Sequence, residues 1–146
     1  MNPIAQATRL KLLRFVLFAS GIAWGASIFG VILPWDNAET LLQGLGAHPV
    51  EYDPMLNYWL RMAAGAFTLV GCVFFVMAWK PQRYAAMIPL FGWLMLLEGV
   101  ILLISGLSLK LQPFPFTADT TFCLLAGAAI LWLKDAAKQK DPSSNP

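Results

Sequence analysis

The chain has 146 residues, of which 58% are hydrophobic and 12% charged, with a mean hydropathy of +0.63 and a net charge of +2. A soluble domain carries about 25% charged residues, so this composition is that of a single-domain integral membrane protein, with the lipid bilayer as its first partner. The small charge and the lack of any Lys/Arg run give no footing for nucleic acid, and one His with two Cys leaves little for a metal site.

The expected fold is an all-α bundle of four transmembrane helices over residues 8–33, 54–79, 83–107 and 117–134. Together they form one domain, residues 1–134. The first span opens on Arg9, Lys11 and Arg14, as a signal peptide would, but residues 15–35 are 21 uncharged residues. That exceeds the ~7–15 residues of a signal core, so an uncleaved span is expected. Gly21 and Gly25 make a Gly-x-x-x-Gly pair, which lets another helix approach closely. Pro34 ends the helix, and Trp35 suits the interface.

Residues 36–53 form the longest polar connection. Asp36 and Glu39 have the spacing of a capping box, with Leu41, Leu42 and Leu45 on one side and Gly44 and Gly46 as stops. A short amphipathic extracytoplasmic segment on the membrane surface is expected there; an irregular loop is the alternative. Asp53-Pro54 then starts the second span, with Asp as N-cap and Pro at the first helical position. Tyr52, Tyr58 and Trp59 gather at its outer end and Trp79 at its inner end. Ala64, Gly65, Thr68 and Cys72 form the face expected to point into a bundle; Leu69, Val73, Phe74 and Val76 suit lipid.

After the 80–84 turn, the third span carries Gly92, Gly99 and Gly106 at seven-residue intervals on one face, with Pro89 expected to bend its first turns. The fourth is short, since only residues 120–133 separate Asp119 from Lys134, against the ~17 usually needed. Inclusion of residues 114–118 and snorkelling of Lys134 make up the difference. Thr117 or Asp119 is expected to cap it, and residues 135–146 to form a disordered cytoplasmic tail. Placing both ends and the 80–84 turn on one side puts eight of the ten basic residues there. The positive-inside rule then makes both termini cytoplasmic; a bacterial inner (cytoplasmic) membrane is the expected location.

Arg61 and Glu98 are the strong charges inside the expected spans. Charges there are costly and normally partnered. At ~1.5 Å per residue Arg61 lies about 5 Å deep and Glu98 about 14 Å, on adjacent antiparallel helices. A structural ion pair with Thr68 or Ser105 nearby is therefore expected, with a proton- or ligand-linked site and an unpaired, protonated Glu98 as alternatives. His48 reads as a solvated loop residue. A haem held by two His of one chain is excluded because there is one His, and no other cofactor is indicated. No Ser/His/Asp set, Cys-pair motif or phosphate-cradling loop can be assembled. Cys72 and Cys123 fall at different depths, so no disulfide is expected. Trp24, Trp93, Met87 and Met95 read as packing or lipid contacts.

Four short-looped helices, an acidic outer loop with Asp36, Glu39, Glu51 and Asp53, and Arg14 preceding Gly21 resemble the DoxX-like small membrane proteins. The resemblance covers most of the chain as architecture and carries no catalytic motif; Glu98 has no match in it. It implies a quinone-linked redox component, with any site near Arg61 and Glu98. From the residues themselves the leading reading is a non-enzymatic accessory or interaction subunit, bound to other membrane subunits or to itself. A small oligomeric transport or proton-conducting protein is the third reading.

Overall fold

A computed structural model describes residues 3–138. Regular structure among them is helical: α1 (Pro3–Gly25), α2 (Ile28–Ile32), α3 (Trp35–Gly44), α4 (Pro54–Trp79), α5 (Ile88–Ser108) and α6 (Pro113–Leu133), closed by a 3-10 turn at Lys134–Ala137. Among the described residues four stretches are long and apolar enough to cross a membrane: Ile4–Ile32, Pro54–Trp79, Ile88–Ser108 and Pro113–Ala137. The residues fall into two compact units. The first combines the chain up to Ala19 with the chain from Phe74 on, and the second is Ser20–Val73.

The first unit is built on the α5–α6 pair. Gly92 packs against Leu131, Gly99 against Leu124 and Gly106 against Phe116, so the two helices run antiparallel with the glycine face of α5 closed by large side chains of α6. A Cβ added to Gly99 would sit 2.8 Å from Leu124 Cγ, and one on Gly127 would sit 2.9 Å from the Gly92 carbonyl. The missing side chains therefore set how closely the helices approach. Leu13 and Leu17 of α1, Phe74 and Met77 of α4, Ile88 and Ile130 are all fully buried. Phe74 and Phe91 meet edge to face at 5.3 Å, an arrangement aromatic quadrupoles favour. Phe74, expected on the lipid side, is thus a core residue. Arg9 ties the start of α1 to the end of α6. It donates a 2.8 Å hydrogen bond to the Trp132 carbonyl and lies over the Trp132 ring, 5.4 Å from its centroid.

The second unit holds the other close helix contact. A Cβ on Gly71 would sit 2.7 Å from Gly25 Cα and 2.9 Å from the Gly21 carbonyl. The Gly-x-x-x-Gly pair of α1 is thus occupied within the chain, by α4. A Cβ on Gly30 would sit 2.8 Å from Ala64 Cβ, and Trp24 meets Phe67 edge to face at 5.2 Å. Cys72, expected on this inward face, is exposed instead.

Helix ends differ from the sequence expectations for local reasons. The first span is broken: Ser27, Phe29 and Gly30 donate to carbonyls three residues back, a 3-10 tightening at the Gly25-Ala26-Ser27 run. The capping box is not formed. Pro34 stands at the N-cap of α3 without a side-chain bond, Asp36 lies inside the first turn, and Glu39 accepts from Gln43 Nε2 and the Val50 N–H. Asp53 does cap α4, its Oδ1 accepting from the Met55 N–H at 2.7 Å. The chain from residue 81 to 87 makes turns, and Pro89 lies in the first turn of α5, where its missing N–H costs nothing. Neither Thr117 nor Asp119 caps α6, which begins earlier. Phe114 is extended because Pro115 follows it, and the Thr117 hydroxyl donates to the Pro113 carbonyl. The expected disordered tail is ordered at its start, where Ala136 and Ala137 are buried and Lys138 pairs with Asp135 at 3.0 Å. The remaining tail residues lie outside those described.

Candidate functional site: polar groups within the spans

Arg61 belongs to the second unit and is half-buried on α4. All three guanidinium nitrogens donate: Nε to Asn57 Oδ1 at 2.9 Å, Nη1 to the Val31 carbonyl, and Nη2 to the Leu33 carbonyl at 3.0 Å. The acceptors arise from the sequence. Helix α2 stops at Ile32, Leu33 is extended with ψ 141°, and Pro34 has no N–H to return. The last carbonyls of α2 are therefore orphaned. A cation at a helix C-terminus satisfies them and meets the negative end of the helix dipole. Arg61 is thus a cap delivered from a neighbouring helix, aimed by Asn57 one turn before it. Thr68, its expected companion, donates to the Ala64 carbonyl of its own helix at 2.8 Å.

Glu98 belongs to the first unit, half-buried in the middle of α5 beside Gly99. Among the described residues its carboxylate takes part in no hydrogen bond or ion pair. It lies within electrostatic reach of the Cys123 thiol on α6, as does Asp119, one turn before Cys123 on the same helix stripe. Cys123 is buried and in no disulfide among the described residues. Between Asp119 and Cys123 in sequence, Thr120 is buried with a hydroxyl that finds no hydrogen-bond partner among the described residues. Ser105, two turns along α5 from Glu98, is exposed.

Each unit therefore carries a polar site of its own. One is a saturated arginine cap. The other is a pair of carboxylates, a thiol and an unsatisfied hydroxyl spread over the α5–α6 pair. Sequence reasoning treated Asp119 as a cap only and attached no role to Thr120 or Asn57. The Asn57–Arg61 spacing and the orphan carbonyls before Pro34 were signals in plain sight; the hydroxyl of Thr120 gave none. His48 lies in the exposed connection after α3. Among the described residues no three His, Cys, Asp or Glu side chains converge to hold a metal ion. No family model, curated protein or solved structure matches the chain.

Proposed function

We propose that this protein is a non-enzymatic subunit of a membrane assembly, held in the inner membrane with both ends cytoplasmic. The observation that carries this reading is Glu98. A carboxylate in mid-span is costly and is retained where something partners it, yet among the described residues it has no hydrogen bond or ion pair. A second carboxylate, Asp119, is exposed on the adjoining helix. Donors from another chain would satisfy both. The glycine faces support the reading only indirectly, because Gly21, Gly25, Gly92, Gly99 and Gly106 are occupied by the chain's own helices.

A second reading uses the same residues. Two carboxylates on adjacent helices, with a buried hydroxyl next in sequence to one of them, suit a proton path in a small oligomeric transporter. Extraction from the native membrane in mild detergent separates the two. A stable larger complex that Glu98→Gln and Asp119→Asn weaken supports the subunit. Proton flux in liposomes that Glu98→Gln abolishes supports the transporter. A monomer that carries bound quinone would overturn both in favour of the DoxX-like redox reading.

A further inference from the structure

We propose that the cleft between the basic part of α1 and the last turns of α4 holds an anionic phospholipid. Arg14, Phe15 and Phe18 of α1 and Phe75, Ala78 and Trp79 of α4 line it, and all six belong to the first compact unit. Its volume is about 510 Å³, within the ~300–1,000 Å³ of small-molecule sites and enough for a length of acyl chain. Phe18 and Phe75 meet edge to face at 5.2 Å and form one wall. Trp79 stands at the end of its apolar span, 80% exposed, where an interfacial aromatic sits at headgroup level.

Arg14 is the one charged group of the lining, and among the described residues it forms no ion pair. Lys11 lies one turn before it and Lys80 directly follows Trp79. The cleft thus joins an apolar slot to an unneutralised guanidinium at a membrane boundary. A soluble anion would use only the arginine and a neutral lipid only the slot. A phospholipid with net negative charge uses both: the guanidinium takes the phosphate in a bidentate grip, and the aromatic walls take the chain. Basic pockets between spans on the cytoplasmic side recognise such headgroups.

Native mass spectrometry of the full chain tests this, after equilibration in mild detergent with equal phosphatidylglycerol and phosphatidylcholine. One basic contact corresponds to an approximately five-fold preference for the anionic lipid. Arg14→Gln should reduce the preference to near unity, Arg14→Lys should keep most of it, and Lys110→Gln, beyond the far end of α5, should leave it intact. Equal retention of the two lipids by the wild type would overturn the proposal, as would a preference that survives Arg14→Gln. Displacement of the lipid by excess glycerol phosphate would reassign the site to a soluble anion. If Arg14→Gln does not fold, brominated phosphatidylglycerol supplies the decision. It should quench tryptophan emission more in the wild type than in Trp79→Phe, and equal quenching sinks the idea.

Discussion

Arg61 Nη2 donates to the Leu33 carbonyl at 3.0 Å, joining residues 28 apart in the chain. The bond closes the end of a helix that its own backbone leaves open, because Leu33 is extended and the ladder stops at its N–H. Arg61→Gln leaves the Val31 and Leu33 carbonyls without donors. Hydrogen bonds to a charged partner are worth about 1.5–3 kcal/mol each, reduced where freed groups find water or other donors. A loss of about 2–3 kcal/mol is expected on unfolding in detergent. Arg61→Lys should recover less than half of it, because one ammonium cannot reach three acceptors. A wild-type melting curve for either variant would remove the cap from the account.

The same variant tests the charge pair expected from the sequence. In a double-mutant cycle of Arg61→Gln with Glu98→Gln, coupling below about 0.5 kcal/mol is expected, because each guanidinium nitrogen already has an acceptor in its own unit. Coupling well above that would restore the pair.

Substitution at two glycines of α4 should have opposite effects. At Gly71 a methyl group meets the backbone of Gly25 and Gly21 below 3 Å, and backbone cannot turn aside as a side chain can. Gly71→Ala should cost about 1–3 kcal/mol by overpacking. At Gly65 nothing lies within 4 Å of the added carbon, so Gly65→Ala should gain up to about 1 kcal/mol from helix propensity. Thermal unfolding of the two variants side by side checks the sign. Equal effects would mean that α1 and α4 do not approach at Gly71.

The four apolar helices were legible because a membrane span needs only length and hydropathy, both local. The start of α4 was legible for the same reason, since Asp53-Pro54 contains its own cap. The break in the first span was not, because Gly25 and Ser27 serve equally well as packing residues in an unbroken helix. The start of α6 was misplaced because Thr117 and Asp119 look like caps, while Pro115 acts earlier by forcing Phe114 out of helical geometry. Arg61 was identified as a site residue with another partner in view. Hydropathy marks a buried charge but not which of several distant acceptors it meets, and backbone carbonyls do not show in a residue pattern at all.

Lys110 ends α5 in a left-handed conformation, with φ 52°. The Leu111 N–H returns to the Gly106 carbonyl at 3.0 Å and the Lys110 N–H to the Leu107 carbonyl at 3.2 Å, a Schellman motif. The equivalent position after α3 is Gly46, with φ 97°. A side chain in this conformation costs about 1–2 kcal/mol, partly offset by the greater freedom glycine loses on folding. The lysine is exposed, so its replacement removes little packing. Lys110→Gly should therefore stabilise the protein by about 0.5–1 kcal/mol, read as a raised Tm; a lowered Tm would show that the lysine makes a contact of its own.

Thr120 is buried, yet among the described residues its hydroxyl has no hydrogen-bond partner. Thr68 and Thr117, by contrast, donate to carbonyls four residues back, at 2.8 and 2.6 Å. A buried hydroxyl without a bond costs about 1–3 kcal/mol in proteins, and valine keeps the branched shape without it. Thr120→Val should accordingly leave the protein as stable as the wild type or up to about 1 kcal/mol more so. Thr120→Ser, which keeps the hydroxyl and opens a methyl-sized void, should lower stability by about 1 kcal/mol. A destabilised Thr120→Val with a tolerated Thr120→Ser would mean that the hydroxyl has an acceptor after all. If Thr120→Val is stable but loses the native assembly or proton flux, the hydroxyl is being held in reserve for a partner or a proton, and Glu98 and Asp119 are the groups it would serve.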